Sequence, residues 1–212
     1  MSRNKYPEET VQKILDTALK LFLERGYEQT TVLDIVNELG GLTRGAFYHH
    51  FKSKEEVLDA LGDKLFYEDN PFEKVKELSQ LNGLEKIRWV LSSSLTKTDN
   101  RKISVQSVFL FKSPAFLKKL VDENRDILAP MFQDLIEEGV KDGSIKSESP
   151  KLLAELFTLL TNFWMMPTIF PCSEEETWQK FDMVRDISEK MGLPVFDHEL
   201  TNLCKDTALR TE

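Results

Sequence analysis

The chain has 212 residues, 41% hydrophobic and 30% charged, and a formal net charge of −8 at pH 7. This composition excludes a disordered or fibrous chain and leaves enough length to bury a core in each of two domains. Residues 1–55 carry 8 Lys+Arg and 8 Asp+Glu, whereas residues 56–212 carry 20 and 28, so the acidity belongs to the later part and excludes polyanion binding by bulk charge.

In chain order, the first element legible from its own residues is a helix over 30–39 (TTVLDIVNEL). Thr31 can cap it, Asp34 stands at capping-box spacing, and Val32, Ile35, Val36 and Leu39 give it one apolar side. Gly40 and Gly41 end it, because glycine tolerates the left-handed backbone of a tight interhelical turn. A second short helix starts near Thr43, with Phe47 and Phe51 four apart on a core face and Arg44, Gly45, Tyr48 and His49 on the faces turned away. Ser53 and Glu56 form a further capping box before a helix that runs past Val57, Leu58, Leu61 and Leu65 to Asn70-Pro71. Phe72, Val75 and Leu78 mark a short continuation that Asn82-Gly83 should end, and Leu84, Ile87, Leu91 and Leu95 make the next stripe. Val105, Val108 and Phe109 suggest another short helix. Ser113-Pro114 and Ser149-Pro150 read as N-cap plus proline at the first helical position, opening helices of about 114–141 and 150–166. Ser173 and Glu176 are a third capping box, starting a helix with Trp178, Phe181, Val184, Ile187 and Met191.

The stretch LTRGAFYHHFKSKEEV at 42–57 resembles the DNA-reading end of a helix-turn-helix, and residues 8–66 resemble the N-terminal domain of the TetR family of bacterial transcriptional regulators. In that resemblance helix 1 is 8–25, closed by Gly26-Tyr27, and the Thr30-Thr31 pair, the Tyr48-to-Phe51 run and Lys54-Glu55-Glu56 are familial. It implies an all-α fold, with a three-helix DNA-binding domain at 1–53 and a larger helical effector-binding and dimerisation domain at 54–212. Carry-over makes Thr43, Tyr48, His49 and His50 phosphate contacts and turns Arg44, Gly45 and Ala46 toward the bases. The chemistry agrees: Arg44 can pair bidentately with guanine, Ala46 can meet a thymine methyl, and Gly45 lets the backbone approach. Thr30, Thr31 and Lys54 stand at helix N-termini, where exposed amides favour phosphate. Two departures bear on the base contacts: Gly40-Gly41 occupies a turn where the family has one glycine, and Leu33 stands where a polar or basic residue is common.

The helix from Ser149 is too apolar for a surface helix, with Leu152, Leu153, Leu156, Phe157, Leu159, Leu160, Phe163 and Trp164 leaving little solvated face. It is either buried in the monomer or shared with a second copy. The resemblance favours a two-fold dimer built from the last long helices, with Leu153, Leu156, Phe157, Leu160, Trp164, Trp178 and Phe181 as interface residues. The resemblance also implies an effector cavity, for which Trp89, Phe109, Met131, Phe132, Asn162 and Met166 supply apolar area and one orienting polar group.

Other chemistry finds little purchase. His49 and His50 are sequence neighbours that diverge by about 100° on a helix, with no Cys or carboxylate at ligand spacing, so no metal site is expected. Nor is there a phosphate-cradling glycine loop or a nucleophile with its base, so neither catalysis nor a cofactor is expected. The uncharged run Leu156–Ser173 is interrupted by Asn162, Pro167 and Pro171, which argues against a membrane span. Cys172 and Cys204 are far apart and no signal peptide precedes Arg3, so the thiols are expected reduced and the protein cytoplasmic. The function expected is a homodimeric repressor released from a palindromic double-stranded DNA operator by a small hydrophobic or amphipathic ligand; the alternative is a ligand-independent helical adaptor or DNA-organising protein.

Overall fold

The computed structural model describes residues 7–67, 70–96 and 114–208. Within them the regular structure is helical: α1 (Pro7–Arg25), α2 (Val32–Glu38), α3 (Arg44–His50), α4 (Lys54–Tyr67), α5 (Pro71–Val75), α6 (Gly83–Thr96), α7 (Pro114–Glu123), the π turn π1 (Asn124–Leu128), α8 (Ala129–Asp142), α9 (Pro150–Leu159), the π turn π2 (Leu160–Trp164), α10 (Glu174–Lys190) and α11 (His198–Ala208). The helix expected around Val105, Val108 and Phe109 lies outside the described residues, as does Ser113.

The contacts divide the chain into two compact units, the first holding α1–α4 with residues 114–119 and the second the remaining described residues. In the first, Ile14, Leu15, Ala18, Leu21 and Phe22 recur at three- and four-residue spacing along α1 and form a core with Ile35, Val36, Phe47, Phe51, Val57, Leu58, Leu61 and Phe116. Helix α4 thus contributes three residues to the first core. Short helices such as α2 and α3, of seven residues each, are not stable alone. Their packing and caps hold them: Thr31 and Asp34 complete the expected capping box, and Thr43 Oγ1 accepts from Ala46 N. The turn between them places Gly40 at φ 51° and Gly41 at φ 132°, so both glycines are required by backbone conformation.

In the second unit Leu84, Ile87 and Val90 of α6, Phe132, Leu135 and Ile136 of α8, and Leu153, Ala154 and Phe157 of α9 share one core with Leu193, Val195 and Leu200. Gly83 opens α6 where the sequence suggested a helix end, because α6 crosses α8 so closely that a Cβ on Gly83 would collide with the backbone of Gly139. Asp142 Oδ2 accepts from Gly83 N at 2.7 Å, and Lys86 pairs with Glu138 across the same contact. The helix from Pro114 to Asp142 contains π1, and the helix from Pro150 ends in π2 at Trp164. Ser173 and Glu176 form their capping box, whereas the Ser149 hydroxyl makes no cap bond. Cys172 and Cys204 are free thiols, and burial pushes that of Cys204 up to about 11.

Candidate nucleic-acid interface

Helix α3 buries Phe47 completely, and its following residue pair, with Phe51, anchors it to the first core. That anchoring turns Thr43, Arg44, Gly45, Tyr48 and His49 outward as exposed residues, with Ala46 and His50 half-buried beside them. The Arg44 guanidinium lies 5.6 Å from the Tyr48 ring centre, and the His49 and His50 rings meet edge to face at 5.4 Å. The face thus presents one permanent cation, a phenol, two imidazoles and a hydroxyl around a residue with no side chain. A Cβ built on Gly45 would meet only Thr43 Oγ1, at 3.9 Å, and its φ is not positive. Among the described residues nothing requires glycine there.

Two expected contacts are corrected by their surroundings. Thr30 is fully buried, and its hydroxyl lies 2.8 Å from Gly26 O and 3.3 Å from Leu21 O, so it closes the end of α1 instead of facing solvent. Thr31 is exposed, but its hydroxyl lies 2.6 Å from Asp34 Oδ2 and its backbone N–H donates to the same oxygen at 2.8 Å. Those hydrogen bonds hold the Asp34 carboxyl below its ordinary value, so a phosphate at Thr31 would meet a carboxylate. Asp34 and Glu38 face α1, toward Arg25 and Lys20, and Leu33 is 53% exposed on the other flank of α2.

Lys54 also has a partner within the unit. Its ammonium donates to Tyr27 O at 2.7 Å and stands 4.1 Å from the centre of the Tyr27 ring. Tyr27 is buried, packs edge-on against Phe22 at 5.1 Å and reaches Glu55 Oε1 with its hydroxyl at 3.4 Å. Burial, and then the Glu55 carboxylate, raise the Tyr27 phenol above its ordinary range. Residue composition alone had not marked Tyr27 beyond its place in the turn after α1.

The residues expected to line an effector cavity are dispersed. Phe132 is a core residue stacked edge-on with Phe72 and Phe157. Trp89 lines a surface cleft of about 380 Å³ with Arg88, Asp197 and Glu199. Met131 and Met166 are half-buried, and Phe109 lies outside the described residues. Asn162 joins a polar ladder that links the two π turns: its amide donates to Asn124 Oδ1 at 3.1 Å, and the Asn124 amide donates to Thr158 Oγ1 at 3.2 Å.

The expected interface residues also separate. Leu153, Phe157 and Phe181 are buried in the monomer, at 2%, 2% and 4% exposure, so they are core residues and not an outward face. Leu156, Leu160, Trp164 and Trp178 are half-buried. The exposed apolar residues of α9 are Leu152 and Leu159, one heptad apart at 60% and 50% exposure, and α10 exposes Met183 at 54%. Their i, i+7 spacing was the available signal. Among the described residues no group of three or more His, Cys, Asp or Glu could hold a metal ion, and no helix is long and apolar enough to cross a membrane.

This arrangement has counterparts of known role. Residues 14–61 match the family model described as bacterial regulatory proteins, tetR family. The HTH-type transcriptional repressor KstR2 of Rhodococcus jostii (strain RHA1) is 31% identical over 157 residues, covering 68% of this chain and 72% of the relative. The repressor of the same name from Mycolicibacterium smegmatis is 28% identical over 82% of this chain and 88% of its own length. A TetR-family transcriptional regulator of Pectobacterium atrosepticum, solved as a crystal structure, superposes with a TM-score of 0.54 at 25% identity, covering 89% of this chain and 96% of that one. With a helix-turn-helix core at the matched residues and a repressor relative aligned over most of its length, the chain belongs to the TetR family and is a DNA-binding transcriptional regulator.

Proposed function

We propose that the protein is a homodimeric repressor that reads a palindromic operator with α3 and is released by a small hydrophobic or amphipathic ligand bound within residues 54–212. Gly45 carries the reading. Glycine in a helix costs up to about 1 kcal/mol relative to alanine, and no contact among the described residues asks for that cost here. A duplex pressed against α3 does ask for it, because a missing side chain lets the helix backbone sit deeper in the major groove. Arg44 and Ala46 flank the opening as base contacts, and Thr43, Tyr48, His49 and His50 supply phosphate contacts around it. Residues 1–53 are the reading part, and α4 carries the signal from the ligand-binding part.

The dimer reading is supported by the exposed Leu152 and Leu159 on α9 and the exposed Met183 on α10, which water alone would leave uncovered. Two-fold pairing matches the two half-sites of a palindrome, about one helical turn of roughly 34 to 36 Å or a multiple apart. The effector reading is supported by the Asn124–Thr158–Asn162 ladder, polar groups set in an apolar unit at two π turns, a feature that recurs at functional positions. Release requires that ligand bind the free form more tightly than the DNA-bound form.

Selection of bound duplexes from a random-sequence library tests this reading. Recovery of a two-fold symmetric consensus supports it. Recovery of unrelated sequences overturns it and leaves a DNA-organising protein.

A further inference from the structure

We infer that Lys54 is a positioning residue, which with Tyr27 clamps the elbow between α3 and α4 onto the end of α1 and so sets the angle at which α3 is presented. The inference rests on α3 as the reading helix.

Lysine at the first position of a helix is electrostatically misplaced, since the positive end of the helix dipole lies there. Its ammonium therefore needs compensation, from a phosphate or from within the protein. The structure supplies it internally: the ammonium reaches a carbonyl just past the C-terminus of α1, where the dipole is negative, and lies over the face of an aromatic ring. Glu55, the next residue of α4, takes the hydroxyl of the same tyrosine. Two consecutive residues of α4 thus grip Tyr27 at its backbone and at its phenol. The grip matters because α3 is a seven-residue helix anchored by Phe47 and Phe51, and only Lys52 and Ser53 separate Phe51 from Lys54. A phenylalanine pair fixes which side of α3 is buried, and the turn from α2 and the following elbow restrain rotation about that hydrophobic pivot at its two ends.

The test uses the full chain and a duplex recovered by selection with the unmodified protein. Affinity, salt slope and thermal midpoint are measured for Lys54→Met, Tyr27→Leu, the double variant, Lys54→Arg and Arg44→Ala. The clamp predicts that Lys54→Met weakens binding by about tenfold with an unchanged salt slope, that its effect is smaller in the Tyr27→Leu background, which lacks the ring but keeps the carbonyl, and that Lys54→Arg restores binding. These losses persist after correction for the folded fraction. A salt slope lowered by about 0.9 for each of the two protomers on the duplex, with additive effects, makes Lys54 a phosphate contact and overturns the clamp alone. A loss that vanishes on correction for the folded fraction overturns it as well. If Arg44→Ala leaves both affinity and base preference unchanged, α3 is not the reading helix and the clamp falls with that reading.

Discussion

Replacing Gly45 by alanine should make the protein more stable and a poorer DNA binder. In the free chain the added methyl meets nothing nearer than Thr43 Oγ1 at 3.9 Å, and the backbone conformation is open to any residue. Removing glycine's conformational freedom should then gain up to about 1 kcal/mol. For a chain of 212 residues this raises the thermal midpoint by roughly 2–4 °C. In the proposed complex the same methyl would stand between α3 and the bases. If it holds Arg44 away from a guanine, one bidentate pair per half-site is lost, at about 1–3 kcal/mol each. Differential scanning calorimetry and fluorescence anisotropy on a selected duplex measure the two effects separately. A variant that binds as well as the unmodified protein, or one that loses stability, would refute the argument that glycine is kept there for an external partner.

Arg44→Ala should cost about 1–3 kcal/mol per half-site on the preferred duplex and relax base preference at one position in each; a uniform loss across all sequences would make Arg44 a phosphate contact. Leu152→Glu with Leu159→Glu should leave a folded monomer by sedimentation, and a dimer of unchanged mass would remove this stripe from the interface. Phe157→Glu, at a buried position, should instead unfold the protein, with a loss of about 4 kcal/mol or more by urea denaturation. Gly83→Ala should lower stability by about 1–3 kcal/mol in the same assay, since its methyl has no room against Gly139, and an unchanged midpoint would show that the crossing of α6 and α8 is looser than described.

The reading motif was legible because its determinants are local. Thr31 with Asp34, the glycine pair at 40–41, and Phe47 with Phe51 each act within a few residues, so spacing alone reveals them. The fate of Thr30 was not legible, since it parts from its identical neighbour Thr31 only when the chain folds and its hydroxyl turns into the end of α1. The outward face of α9 was hidden for the opposite reason: a helix apolar on nearly every side offers no contrast from which to tell Phe157, in the core, from Leu159, in solvent. Gly83 resembles a helix end in sequence and becomes a helix start because a second helix crosses there. The π turns at 124–128 and 160–164 rest on backbone bonds between residues five apart, which no residue pattern announces.

The central claim, that two copies of α3 lie in successive major grooves of one duplex, is tested most directly by tethered cleavage. A DNA-cleaving reagent is attached at His49→Cys, an exposed position on α3, in a background where Cys172 and Cys204 are serine. Two copies of α3 so placed should give two cleavage zones on a selected duplex, related by the two-fold of the site and separated by about 10 to 10.5 base pairs or a multiple. A single zone, or cleavage spread evenly along the duplex, would contradict it.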